Sequence, residues 1–181
     1  MCVGIFAMND DVVIPIFTKT VLHKGVKEYS YLLSSRGIGS LIGAFVAAKH
    51  IKKEGSKKLF FGSGIFMSFF LITNGFSKIY FLSIIIVAAT QFFCMIFLIT
   101  ANSIIQFDSI QEYRGRVMSI YFLVLLGVKP IGNILVGGFI QRMGASKCFI
   151  ICGSFTMLTI LTIYFIDKVR KQQVYKDILR P

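Results

Sequence analysis

Six apolar stretches, at about residues 1–22, 30–48, 59–76, 79–105, 117–141 and 147–166, each come near the ~20 residues that carry an α-helix across a bilayer. In lipid, every backbone N–H and C=O must be satisfied within its own segment, so runs of this length and polarity are helices. The expectation is an all-α membrane protein, with a six-helix transmembrane bundle over 1–166 and a basic tail over 167–181. Composition enters as a check: 55% hydrophobic residues, a mean hydropathy of +0.75 and 19 Phe among 181 residues exceed what a soluble core of this size needs. The connections are short. Only the segment 49–58 and the tail after Asp167 have room in water, which leaves no space for a soluble catalytic domain.

A net charge of +12 suggests nucleic acid as partner for a soluble protein. Here the cations sit in the connections and the tail, and they read as topology; no nucleic-acid partner is expected. Lys49, Lys52, Lys53, Lys57 and Lys58, then Arg114 and Arg116, then Lys168, Arg170, Lys171, Lys176 and Arg180 place twelve cations on one face. Lys19, Lys24, Lys27, Lys78, Arg142 and Lys147 place six on the other. The positive-inside rule then puts both termini in the cytoplasm of a multi-pass protein of the cell (inner or plasma) membrane. The first stretch lacks a basic leader and contains Asn9, Asp10 and Asp11, so it reads as a retained, short span rather than a cleaved signal.

Two cations, Arg36 and Lys129, fall inside spans. A charge at mid-bilayer costs about 2.5–3.5 kcal/mol on insertion scales, so Lys129 is expected to face protein or water and to find a carboxylate. Asp10 lies about 14 Å along a helix from Met1, and Lys129 about 18 Å beyond Val117. If both spans start at the same face, their charges meet at similar depth, and Asp10 or Asp11 answers Lys129. Such a pair either couples proton or substrate movement or statically ties spans one and five. Arg36, six residues into span two, is expected to snorkel to the outer interface, with a role in the pore as the alternative. Gln91 and Asn133 are the other deep polar side chains, with Asn102 nearer an end; each is either a substrate contact or an interhelical hydrogen bond worth about 1 kcal/mol. Phe92, Phe93 and Phe97 either line an apolar cavity or pack and face lipid.

Enzyme signatures do not assemble. There is no P-loop. Ser63, in Gly62-Ser63-Gly64, has no mid-membrane base, because His23 and His50 fall in or beside loops. Cys2 and Cys94 are isolated, and Cys148 and Cys152 lie one helical turn apart without a nearby histidine or carboxylate in sequence. They read as small apolar side chains. No metal and no cofactor is expected, and no enzymatic activity.

The segment Arg114-Gly115-Arg116-Val117-Met118-Ser119-Ile120-Tyr121 feeds a span holding Gly127, Lys129, Pro130, Gly132, Gly137 and Gly138. Glycines admit close helix approach and the proline bends the span. This piece resembles the entry to the eleventh span of major facilitator superfamily transporters, in the branch of macrolide-efflux proteins and the enterobactin exporter. Val12 to Leu22 resembles the end of the seventh span, and Leu32 to Gly43, with Gly39 and Gly43 one turn apart, the eighth. The chain is therefore identified as resembling the carboxyl-terminal six-span half of such a transporter, its short first span favouring truncation. Ile38-Gly39-Ser40-Leu41-Ile42 and Ile131-Gly132-Asn133-Ile134-Leu135 occupy corresponding places in spans two and five, as two inverted three-helix repeats would; ordinary small-residue packing accounts for the match equally.

The resemblance implies export of a small apolar or amphipathic solute, such as a drug, macrolide or siderophore, against inward proton flow. It implies a cytoplasmic gate drawn from Glu112, Arg114 and Arg116 with Lys49, Lys52 and Lys53 as basic neighbours. Asn9, Asp10, Asp11, Gln91, Lys129 and Asn133 are the substrate-binding or proton-coupling candidates, and Gly39, Gly43, Pro130, Gly132, Gly137 and Gly138 the helix-packing ones. Relatives show a proline and an acid where this chain has Ile110 and Gln111, and an apolar residue in place of Lys129. The implied partners are the lipid bilayer, the solute, protons, and either a separate amino-terminal half or a second copy. The alternative is a truncated, transport-inactive membrane protein or interaction subunit.

Overall fold

The computed structural model describes residues 9–51 and 56–178. Six helices follow one another: α1 (Asp10–Thr20), α2 (Val26–His50), α3 (Ser56–Phe76), α4 (Tyr80–Asp108), α5 (Arg114–Met143) and α6 (Ala145–Ile178). Five of them, α2 to α5 and the Ala145–Arg170 part of α6, are long and apolar enough to cross a membrane. The sixth expected span is described only from Asn9 onward. Its helix α1 has 11 residues, about 16 Å, which is short of the ~30 Å hydrocarbon core.

The connections turn by local chemistry. Glu28 Oε2 accepts the Gly25 N–H at 3.0 Å and so closes the start of α2. Between α5 and α6 stands a single residue, Gly144, whose φ of 83° is a conformation that side chains disfavour. Its N–H bonds the Ile140 carbonyl, which caps α5. Inside the helices, hydroxyls donate back to the carbonyl one turn earlier, as Thr18 does to Ile14, Ser68 to Gly64 and Thr156 to Cys152. These hydroxyls are thus satisfied without water.

Packing proceeds from neighbour to neighbour in the order α2, α4, α3, α6, α1, α5. The α2–α4, α4–α3 and α3–α6 contacts are broad, whereas α1 touches α6, α5 and α2 narrowly and α5 is held narrowly by α6, α1 and α4. Glycine explains the first of these seams. A Cβ at Gly39 would stand 2.1 Å from the Ala88 carbonyl oxygen, and one at Gly43 2.4 Å from that of Phe92. Backbone therefore lies on backbone along α2 and α4. Gly75 and Gly153 admit equally close approach of α3 and α6. Phe60 stacks on Phe97 at 4.4 Å and Phe66 on Phe93 at 5.1 Å, so aromatic pairs fill the α3–α4 seam. Of the expected cavity-lining aromatics, Phe93 and Phe97 are consumed in that seam.

On α5 the buried residues Val128, Gly132, Val136 and Ile140 repeat every fourth position and form its inner face. Gly137 and Gly138 differ from these: among the described residues, a Cβ at either would meet nothing within 4 Å. Pro130 sits inside α5 and denies a backbone donor to the preceding turn.

Candidate functional site

Four helices bring charged or amide side chains to one depth. Arg36 lies ten residues into α2 and Gln91 eleven into α4, about 15 and 16 Å from the ends that carry Val26 and Tyr80. Lys129 lies near the middle of α5, and Asp10 and Asp11 open α1. Asp11 bridges two cations: Arg36 Nη1 donates to its Oδ1 at 2.7 Å and Lys129 Nζ to its Oδ2 at 2.7 Å. Asp10 accepts from Gln91 Nε2, and Arg36 Nε stands 3.9 Å from its Oδ2. One connected network thus joins α5 to α1, α1 to α2 and α1 to α4.

Burial grades across this network. The Asp10 side chain is 8% exposed and that of Arg36 23%, against 38% for Lys129 and 48% for Asp11. Lipid does not cover a half-exposed carboxylate and ammonium at this depth without the cost that insertion scales record. The face bearing Asp11 and Lys129 therefore borders water or protein. Behind Asp10, a small space of about 10 Å³, near the least that holds a water, is walled by Asn9, Val13, Leu71, Cys148 and Cys152.

The other candidates lie as follows. Asn9 is buried beside Asp10 and lines that space. Among the described residues, the buried Oδ1 of Asn133, one turn beyond Lys129, meets no hydrogen-bond donor, and neither does that of Asn102. Lys49, Glu112, Arg114 and Arg116 are exposed; Arg116 sits over the Tyr113 ring at 5.9 Å. Among the described residues, no ion pair joins Glu112 to Arg114 or Arg116. Lys52 and Lys53 lie outside the described residues. No group of three or more His, Cys, Asp or Glu able to hold a metal occurs among the described residues. Cys148 and Cys152 have their Sγ atoms 3.9 Å apart and are buried on α6.

Arg36 is the member the sequence reading placed elsewhere. The apolar run starts at Ser30, but the helix starts at Val26, because Lys27 and Glu28 occupy its exposed first turn. The Arg36 guanidinium is held by Asp11 of α1 instead of reaching back toward the start of α2.

A family model described as transmembrane secretion effector, of the major facilitator type, matches residues 1–178. The chain belongs to that family. No curated protein and no solved structure matches it. Membership makes this chain a multi-pass membrane transporter rather than an enzyme, working in a lipid bilayer on a small-molecule substrate. The five long apolar helices agree.

Proposed function

We propose that this chain is the carboxyl-terminal six-span half of a proton-coupled efflux transporter, and that Asp10, Asp11, Arg36, Gln91 and Lys129 couple proton entry to export of a small apolar or amphipathic solute. The observation that carries this reading is the half-exposed Asp11 shared between Arg36 and Lys129 at mid-span. Protonating Asp11 releases both cations at once, and a neutral Asp11 no longer holds α5 to α1. Because α5 packs narrowly elsewhere, loss of that bond frees one helix of the bundle. Asn133 adds an acceptor with an unmet bond one turn away, available to a solute donor.

The order of neighbours supports two inverted repeats. Exchanging α1 with α4, α2 with α5 and α3 with α6 maps the contact series α2–α4–α3–α6–α1–α5 onto itself reversed, while the α5–α6 contact has no α2–α3 counterpart among the described residues. In this reading both termini are cytoplasmic, in the cell membrane. Glu112, Arg114, Arg116 and Lys49, with Lys52 and Lys53 beyond the described residues, border the cytoplasmic mouth as its gate. The solute belongs to the drug, macrolide or siderophore range that the branch resemblance suggests.

The test is efflux of a dye or macrolide from cells expressing this chain with an amino-terminal half, beside cells expressing it alone. Export is expected with the partner half, and Lys129→Ala, inserted at equal abundance, is expected to cut the rate at least about tenfold, the loss of roughly 1.4 kcal/mol of coupling. Undiminished efflux by Lys129→Ala removes the coupling role; no efflux in either setting favours a transport-inactive membrane protein.

A further inference from the structure

We propose that the groove between α2 and α4 is a binding site for one phospholipid that carries a primary ammonium, of the phosphatidylethanolamine class. This inference does not depend on the transport reading. The groove measures about 630 Å³ and is walled by Tyr31, Ile38, Tyr80, Phe81 and Ile84, with Lys24 and Glu28 at its mouth. Tyr31, Ile38 and Phe81 are 65%, 60% and 76% exposed, so the walls await an apolar occupant.

Three observations choose that occupant. The first is length: from Glu28 to Ile38 the groove follows α2 for about 15 Å, the depth of one leaflet of a ~30 Å hydrocarbon core. A single acyl chain fits that depth, whereas a segment spanning the membrane overruns it. The second is wall polarity. Ser34 Oγ donates to the Ser30 carbonyl at 3.0 Å and Ser35 Oγ to that of Leu32 at 2.8 Å, so neither hydroxyl asks the occupant for a hydrogen bond.

The third is the charge at the mouth. Lys24 precedes the first turn of α2, at membrane-interface level, and matches a phosphate. Glu28 supplies the opposite sign one turn into the helix. Its Oε2 accepts the Gly25 N–H, and a carboxylate takes several donors, so Oε1 is left for an ammonium. Tyr80 Oη donates to the Glu28 carbonyl at 3.0 Å and fixes α4 against α2 there. One cation and one anion fit a zwitterionic headgroup better than an anionic one. A primary ammonium donates hydrogen bonds to a carboxylate; a trimethylated one has none to give.

The full chain, purified and partly delipidated, is titrated with dioleoyl phosphatidylethanolamine, phosphatidylcholine and phosphatidylglycerol, and retained lipid is counted by native mass spectrometry. Phosphatidylethanolamine is expected to be retained roughly fivefold over phosphatidylcholine, the ratio one charge-assisted hydrogen bond provides. Glu28→Gln is expected to bring that ratio close to one, Lys24→Gln to weaken both lipids, and Ile38→Trp to block the groove, with helix content by circular dichroism unchanged in each. Equal retention of the two zwitterionic lipids by the native chain overturns the proposal. So does a ratio insensitive to Glu28→Gln, or a preference for phosphatidylglycerol, which would mean that the mouth acts only as a cation. Should Ile38→Trp fail to fold, the partly exposed Glu28→Gln still decides.

Discussion

Asp11 is the residue on which the site turns, because two cations from different helices share its two oxygens. Replacing it by asparagine keeps the size and removes the charge, leaving Arg36 near Asp10 and Lys129 without a counter-charge at mid-span. A fully buried pair broken this way costs about 3–5 kcal/mol. Asp11 and Lys129 are 48% and 38% exposed, so the expected loss is smaller, about 1–2 kcal/mol. Thermal unfolding of Asp11→Asn in detergent measures it, and adding Lys129→Ala to Asp11→Asn is expected to cost less than the sum of the two single losses. A strictly additive double mutant would mean that the 2.7 Å contact contributes no coupling. Sequence reasoning found one side of this network from depth alone: the cost of an unpaired Lys129 pointed to a carboxylate on span one. It left Arg36 at the outer interface, because depth along one helix does not show which neighbouring helix a side chain faces, and Asp11 of α1 is the group that Arg36 meets.

At the scale of helices, the class and five of the six expected spans were readable because bilayer thickness dictates the length of an apolar run. Which glycines bring helices together was not. Gly39 and Gly43 meet backbone on α4, yet Gly137 and Gly138, in an equally glycine-rich run, meet open space. Gly75 and Gly153, which no motif marked, seat α3 against α6. A glycine licenses close approach, but the helix face it lies on decides whether anything approaches, and an all-round apolar helix hides its faces. The α2–α4 seam offers a direct check. Gly39→Ala forces a methyl into the Ala88 carbonyl, which is backbone and cannot rotate away, so the helices must separate. Overpacking of this kind costs about 1–3 kcal/mol. Gly37→Ala, on the same helix, places its methyl where nothing lies within 4 Å and replaces a poor helix former. Unfolding midpoints are expected to fall for Gly39→Ala and to hold or rise for Gly37→Ala. Equal midpoints would mean that α2 and α4 are not in backbone contact.

For the molecule as a whole, the alternation of six helices fixes which charges share an end. Lys49, Lys57, Arg114 and Lys168 gather at the end where α2 and α6 finish and α3 and α5 begin, and Lys24, Lys78, Arg142 and Lys147 gather at the other. Lys57 Nζ stands 4.0 Å from Asp167 Oδ1, which joins the start of α3 to the far part of α6 at the first of these ends. Both ends are basic, with twelve cations on one face against six on the other, and the two inverted repeats proposed above add a second constraint. An inverted repeat requires corresponding helices to run oppositely: the end of α2 and the end of α5 must then lie on opposite faces. Single cysteines introduced at Lys49 and at Arg142, in a background lacking the native cysteines, test this with a membrane-impermeant thiol reagent on intact cells. Labelling of the Arg142 site alone is expected, since the positive-inside count puts Lys49 in the cytoplasm. Labelling of the Lys49 site alone would keep the repeat and reverse the orientation. Labelling of both from one side would break the antiparallel relation of α2 and α5 that an inverted repeat requires, and would remove the repeat from the proposed architecture.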